Sequence, residues 1–149
     1  MTAALYVVHY GKEYLGYSIR SIQDAVDQVF VFYAPAPSFG HGQGLPCPDT
    51  EADLFYEANR FATRPVLGER GAWGNEWKHR DHALETIKRA GHDVVLVVDA
   101  DEVWEPSCAK HVVDHVAGKI LGRRWTARCA NFWRSWDWMV RDHFRSVRV

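Results

Sequence analysis

Three short runs of consecutive apolar residues frame this chain: Leu5-Tyr6-Val7-Val8, Val29-Phe30-Val31-Phe32-Tyr33 and Val94-Val95-Leu96-Val97-Val98. Each is continuous where a half-exposed strand would alternate, which predicts strands covered on both faces. Across positions 13–25, Tyr14, Leu15, Ile19 and Ile22, with Val26 just beyond, recur at helical spacing without a proline, predicting a β-α-β unit. Ahead of the third run, Asn75 is placed to cap a helix reaching toward Ala90, with Trp77, Ala83, Leu84 and Ile87 as its apolar positions and Gly91 ending it. Pro65-Val66-Leu67 predicts a short extra strand, and Pro106 suits the first turn of a helix over 106–116. After Gly122 the chain reads as extended again. Strands alternating with helices predict an α/β fold, a Rossmann-like and mainly parallel sheet with helices on both faces. Sheets of this kind bind ligands beyond the carboxyl ends of their strands.

Composition narrows the picture. A chain of 149 residues, 47% hydrophobic, supports one core and is short for two, so a single domain over 1–149 is expected. The 18 basic and 19 acidic residues nearly cancel, so no global charge steers the chain toward nucleic acid or an acidic membrane. The three cysteines, Cys47, Cys108 and Cys129, are far apart and lack C-x-x-C pairing, and read as buried free thiols of a reducing cytosol. No transmembrane segment or secretory leader is recognisable, and the localisation expected is cytoplasmic. The Pro- and Gly-rich positions 35–49 read as a surface loop, with Gly40-His41-Gly42-Gln43-Gly44 as its flexible part.

The candidate chemistry lies at the end of the third run. Asp99 and Asp101 follow five apolar residues with only Ala100 between them, and in an extended backbone residues two apart point the same way. Paired carboxylates repel unless a cation lies between them, and hard oxygen ligands suit Mg²⁺ or Mn²⁺. Such an ion takes diphosphate oxygens as further ligands and stabilises a departing nucleoside diphosphate. Acids after a strand also cap turns or open the next helix, a reading that the D-x-D spacing alone does not exclude. The long apolar strand before the pair, with Glu102, Trp104 and Pro106 behind it, favours the metal site.

In this context the chain resembles glycosyltransferases of the A-type fold, particularly family 2-like enzymes, over nearly its whole length. The resemblance rests on three segments. His9-Tyr10-Gly11 leads from the first strand into Glu13-Tyr14-Leu15 and Ser18-Ile19-Arg20-Ser21-Ile22; Trp77-Lys78-His79-Arg80-Asp81-His82-Ala83-Leu84 is similar to the family's helix bearing an arginine or asparagine; and Gly91-His92-Asp93 runs on through Trp104. The resemblance implies a hexosyltransferase-like, metal-dependent enzyme that inverts the anomeric centre. It implies a nucleotide-sugar donor, and as acceptor a hydroxyl of a glycan, lipid or protein. It further implies Asp99 near the ribose or the metal's waters, Asp101 as direct ligand of the Mn²⁺ or Mg²⁺, Arg80 at the phosphates, and His9 and Tyr10 flanking the base. Asp137, within Trp133-Arg134-Ser135-Trp136-Asp137-Trp138, is by resemblance the candidate base for the acceptor hydroxyl, and on the plainer reading an exposed surface acid. Tyr33-Ala34-Pro35 stands where many family members carry an acid for uridine, and no Q-x-x-R-W motif is present. The chain stops at Arg145-Ser146-Val147-Arg148-Val149 as if entering a strand, so a domain incomplete at its C-terminus is expected. The alternative is a non-catalytic nucleotide- or sugar-binding module. A haloacid dehalogenase-type phosphatase, which also carries D-x-D, ranks below both because its motif ends the first strand.

Other groups have plainer explanations. Trp133, Trp136 and Trp138 suit either sugar stacking or core packing. Eight basic residues across 119–149, against Asp137 and Asp142, suit a solvated face as well as an anion. His111 and His115 are four apart, and His79 and His82 three apart, on helices expected to be amphipathic; these spacings could hold zinc, though no H-E-x-x-H motif accompanies them.

Overall fold

The computed structural model describes residues 1–36 and 47–119, together with the strands Asn131–Phe132 and Met139–Val140. Strand β1 (Thr2–Val8) is followed by helix α1 (Lys12–Ile22), a 3-10 turn at Gln23–Ala25, β2 (Gln28–Tyr33), α2 (Glu51–Arg60) and β3 (Leu67–Arg70). Then come α3 (Glu76–Arg89), β4 (Val94–Val97), α4 (Pro106–Ala117), and the short strands β5 (Asn131–Phe132) and β6 (Met139–Val140). The first four strands form one sheet in the order β3-β2-β1-β4, with every pairing parallel. β5 and β6 pair antiparallel in a second, two-stranded sheet. The fold is α/β and Rossmann-like, as the apolar runs predict.

Order and layering follow from one another. The chain steps from β1 to β2 to β3 in one direction, then returns past β1 to β4. Right-handed crossovers in opposite directions put their helices on opposite faces. On one face Ala4, Tyr6, Val8, Val29 and Val31 pack with Leu15 and Ile19 of α1, Leu54 and Ala58 of α2, and Ala109 and Val113 of α4. On the other, Ala3, Leu5, Phe30 and Phe32 pack with Ala83 and Ile87 of α3. The continuous apolar strands are therefore explained: alternate side chains of β1 and β2 enter two different cores.

Helix boundaries follow side-chain chemistry. Thr50 and Asp53 form a reciprocal capping box at the start of α2, Asn75 accepts from the Lys78 amide at the start of α3 (3.0 Å), and Gly91 closes that helix at φ 89°. Helix α2 has no counterpart among the predicted elements. In α3 the buried stripe is His79, Ala83 and Ile87, while Trp77 and Leu84, expected to face inward, are exposed. Tyr14 of α1 likewise faces solvent. The extra strand begins at Leu67, two residues beyond Pro65, and is exposed along its length. Cys47 is half-buried and Cys108 exposed, so burial of the thiols does not hold; Cys129 lies outside the described residues. No helix among the described residues is long and apolar enough to cross a membrane.

Candidate functional site

The order β3-β2-β1-β4 reverses between β1 and β4, and a crevice opens at the carboxyl ends of the two strands flanking such a reversal. The turn after β1 is His9-Tyr10-Gly11, and the turn after β4 contains Asp99-Ala100-Asp101. The two turns touch: a Cβ built on Gly11 would lie 3.2 Å from that of Ala100. Gly11 also adopts φ 118°, a conformation open to glycine and strained for other residues.

The backbone at the acids departs from expectation. β4 ends at Val97, and the Glu102 amide donates to the Asp99 carbonyl (3.0 Å), closing a turn over Ala100 and Asp101. Asp99 and Asp101 are therefore presented by a turn and not by an extended strand end, and the two-residue alternation does not apply to them. Both are exposed, and among the described residues neither carboxylate accepts a hydrogen bond or pairs with a cation. Glu102, half-buried behind them, joins the acidic group. Burial first, and then the Asp99 and Asp101 carboxylates, hold its carboxyl above the ordinary range.

Helix α1 fixes this turn from below. Ser18, fully buried, donates to the Glu102 carbonyl and lies 3.4 Å from that of Asp99; the Tyr6 hydroxyl, 2.9 Å from the serine oxygen, is left to donate to it. Burial raises the Tyr6 phenol well above its ordinary value, so it stays protonated as that donor. One turn on, Ser21 accepts from the Trp104 amide (3.0 Å). Glu105 then caps α4, accepting from the Ser107 hydroxyl and from the Cys108 amide (2.8 Å), and these bonds lower its carboxyl to about 2. The acids stand out in the sequence and this support does not, since an isolated serine in an amphipathic helix carries no distinguishing signal.

The amino terminus of α1, where a doubly wound fold offers amides to a phosphate, is already occupied from within. The buried Asp49 carboxylate accepts from the Gly11 amide (2.7 Å) and the Lys12 amide (3.0 Å), and Lys12 Nζ lies 3.6 Å from it. The Cys47 thiol donates to the His9 carbonyl (2.7 Å), and His9 Nδ1 donates to the Ala34 carbonyl at the end of β2 (2.8 Å). His9 is thus held at the rim, while Tyr10 is exposed.

The remaining candidates lie elsewhere. Arg80 sits in α3 on the opposite face of the sheet and pairs with Glu76 of its own helix (2.6 Å). His79 is buried with its ring stacked on Trp73, and His82 bonds Glu69 (2.9 Å), so this pair presents no joint metal face. Asp137, the three tryptophans around it, the glycine-rich loop at 40–44 and the basic residues after Lys119 lie outside the described residues. A cavity of about 10 Å³, lined in part by Gln23, Gln28 and Arg64, opens at the other end of the sheet, far from the strand termini that bear the acids, and has room for one water.

Crowding at the acidic turn has a measurable consequence. A carboxyl whose folded value is raised contributes stability that is complete below its unfolded value and is lost as pH rises through the folded one. Glu102→Gln keeps an acceptor for the Asp99 amide and removes the repulsion. The variant should melt higher than the parent above about pH 5 and at the same temperature near pH 4. Equal melting temperatures across that range would contradict the assigned crowding.

Among the described residues, no three His, Cys, Asp or Glu side chains are grouped to hold a metal ion. Two exposed carboxylates remain, oxygen donors of the kind that hard divalent ions take. The chain matches no protein-family model and no curated protein at a significant level.

Proposed function

We propose that the chain is the donor-binding unit of a cytoplasmic, metal-dependent glycosyltransferase that passes a sugar from a nucleoside-diphosphate donor to a hydroxyl acceptor. The observation carrying this reading is the exposed pair Asp99 and Asp101, presented on the turn after β4 against the turn after β1, at the reversal of strand order. Asp101 and Asp99 would hold the Mn²⁺ or Mg²⁺, which when bound supplies Lewis-acid stabilisation of the leaving diphosphate. Tyr6 and Ser18 keep the turn in place through its carbonyls, so the carboxylates need little reorganisation to bind. His9 and Tyr10, on the turn after β1, would flank the base. Deprotonation of the acceptor requires a further carboxylate, the role suggested for Asp137.

A non-catalytic nucleotide- or sugar-binding module is the second reading, and the engagement of Arg80 and of the first amides of α1 favours it. Arg80, expected at the phosphates, is engaged by Glu76. The amides of Gly11 and Lys12 are engaged by Asp49. Among the described residues, the cations and amides named here therefore offer a diphosphate little positive charge beyond the metal ion itself.

Thermal-shift measurements with nucleoside diphosphates and nucleotide-sugars, with and without Mn²⁺, test both readings. One nucleotide class should raise the melting temperature only with Mn²⁺ present; at a hundredfold excess over Kd the ligand adds about 2.7 kcal/mol. Asp101→Ala should abolish the Mn²⁺-dependent part. Sugar transfer or donor hydrolysis would favour the enzyme, and tight binding without turnover the module. If no nucleotide shifts the transition and Asp101→Ala leaves Mn²⁺ affinity unchanged, both readings fail.

A further inference from the structure

We propose that His111 and His115, on the solvent face of α4, form a two-imidazole chelating site for a borderline-soft divalent transition ion such as Zn²⁺. Residues four apart on a helix stand one above the other. Both histidines are exposed, their ring centroids are 6.3 Å apart, and their planes differ by 29°. Two imidazoles sharing one tetrahedral ion, with metal–nitrogen distances of about 2.0–2.1 Å, place their centroids roughly 5 Å apart. Closing about 1 Å moves the two side chains and leaves the helix in place, because α4 is anchored from its other side by buried Ala109 and Val113.

The surroundings define a bidentate site. Lys110 pairs with Asp114 (3.0 Å), so that acid is already engaged and the ammonium is held beside it. Cys108 lies one turn before His111, but the Glu105 carboxylate accepts its thiol proton and pushes the thiol up, away from the thiolate a metal needs. Two nitrogens from the protein, with water in the remaining positions, accord with the absence of any three-residue metal group among the described residues. Nitrogen ligands select Zn²⁺, Ni²⁺ or Cu²⁺, whereas the carboxylates at Asp99 and Asp101 select hard ions. The two sites are therefore separable by ion type, and zinc binding at α4 stands or falls independently of the acidic turn.

Calorimetric titration of the full chain with ZnCl₂ in excess Mg²⁺ tests it. One Zn²⁺ per chain should bind, and His111→Ala and His115→Ala should each weaken that binding by roughly tenfold or more. Asp101→Ala and His82→Ala should leave it unchanged. Melting curves without metal should show both alanine variants folded, since the two side chains lie outside the core. Absence of saturable Zn²⁺ binding, or equal affinity in the parent and both variants, overturns the site.

Discussion

Asp49→Ala should destabilise the protein by about 3 kcal/mol, roughly the sum of two charge-assisted hydrogen bonds less what solvent recovers. The carboxylate is buried and accepts from the Gly11 and Lys12 amides at the head of α1, at 2.7 and 3.0 Å, with Lys12 Nζ beside it. Gly11, which precedes the helix, has no side chain to cap it, so Asp49 supplies from 38 residues away what a local Ser, Thr or Asp usually supplies. Removing it leaves the buried Gly11 amide without a partner. Urea unfolding should show a lower midpoint with an unchanged slope. An amide of the same shape keeps one acceptor without the charge, so Asp49→Asn should recover about half of the loss. A midpoint change equivalent to less than about 1 kcal/mol in the alanine variant would show that water replaces the carboxylate.

The second large effect concerns acid. His79 is 1% exposed, and neither ring nitrogen has a hydrogen-bond partner within ordinary geometry. Trp73 stacks on it with ring centroids 3.8 Å apart. Burial lowers its pKa to about 4; the Phe32 backbone works against that direction, and Arg80 and His82 add to the lowering. Above about pH 6.5 both folded and unfolded chains hold it neutral. As pH falls from there toward 4, the unfolded chain takes up a proton that the folded chain refuses, so stability declines across this window. A shift of this size is worth about 2–3 kcal/mol after allowance for relaxation. His79→Phe keeps a ring against Trp73 and removes the titration. Its stability should therefore fall less, by about that amount, between about pH 6.5 and 4 than the parent's does. Parallel pH profiles for the two proteins would exclude His79 as the acid-sensitive group.

Much of the architecture is legible in the sequence because burial on both sheet faces leaves no alternation. The runs at Leu5, Val29 and Val94 lie within β1, β2 and β4 or extend just past them. Helix α2 has a local signal, Thr50 followed by Asp53 and then Leu54 and Ala58, but it lies beside the Pro-rich stretch that dominates that region. In α3 hydropathy misleads: a tryptophan and a leucine face out while a histidine takes the core position, because spacing from Ala83 and Ile87 decides the face. At the rim, the identity and location of Asp99 and Asp101 are readable from composition and strand order. Their turn geometry is not, since it is set by Ser18, 81 positions from Asp99. The cap supplied by Asp49 is unreadable for the same reason.

The partition of the sheet into two unequal cores bears on how the chain comes off the ribosome. Leu15, Ile19, Leu54 and Ala58 all precede β3, so most of one face can collapse before α3 has been made. The opposite face, with Leu5, Phe30 and Phe32, waits for Ala83 and Ile87, and β1 lacks its second neighbour until β4 is made. During that interval the nascent chain carries an uncovered aromatic surface and an open central strand, the combination that recruits chaperones or misassembles. The arrival of α3 and β4 covers that surface and pairs that strand.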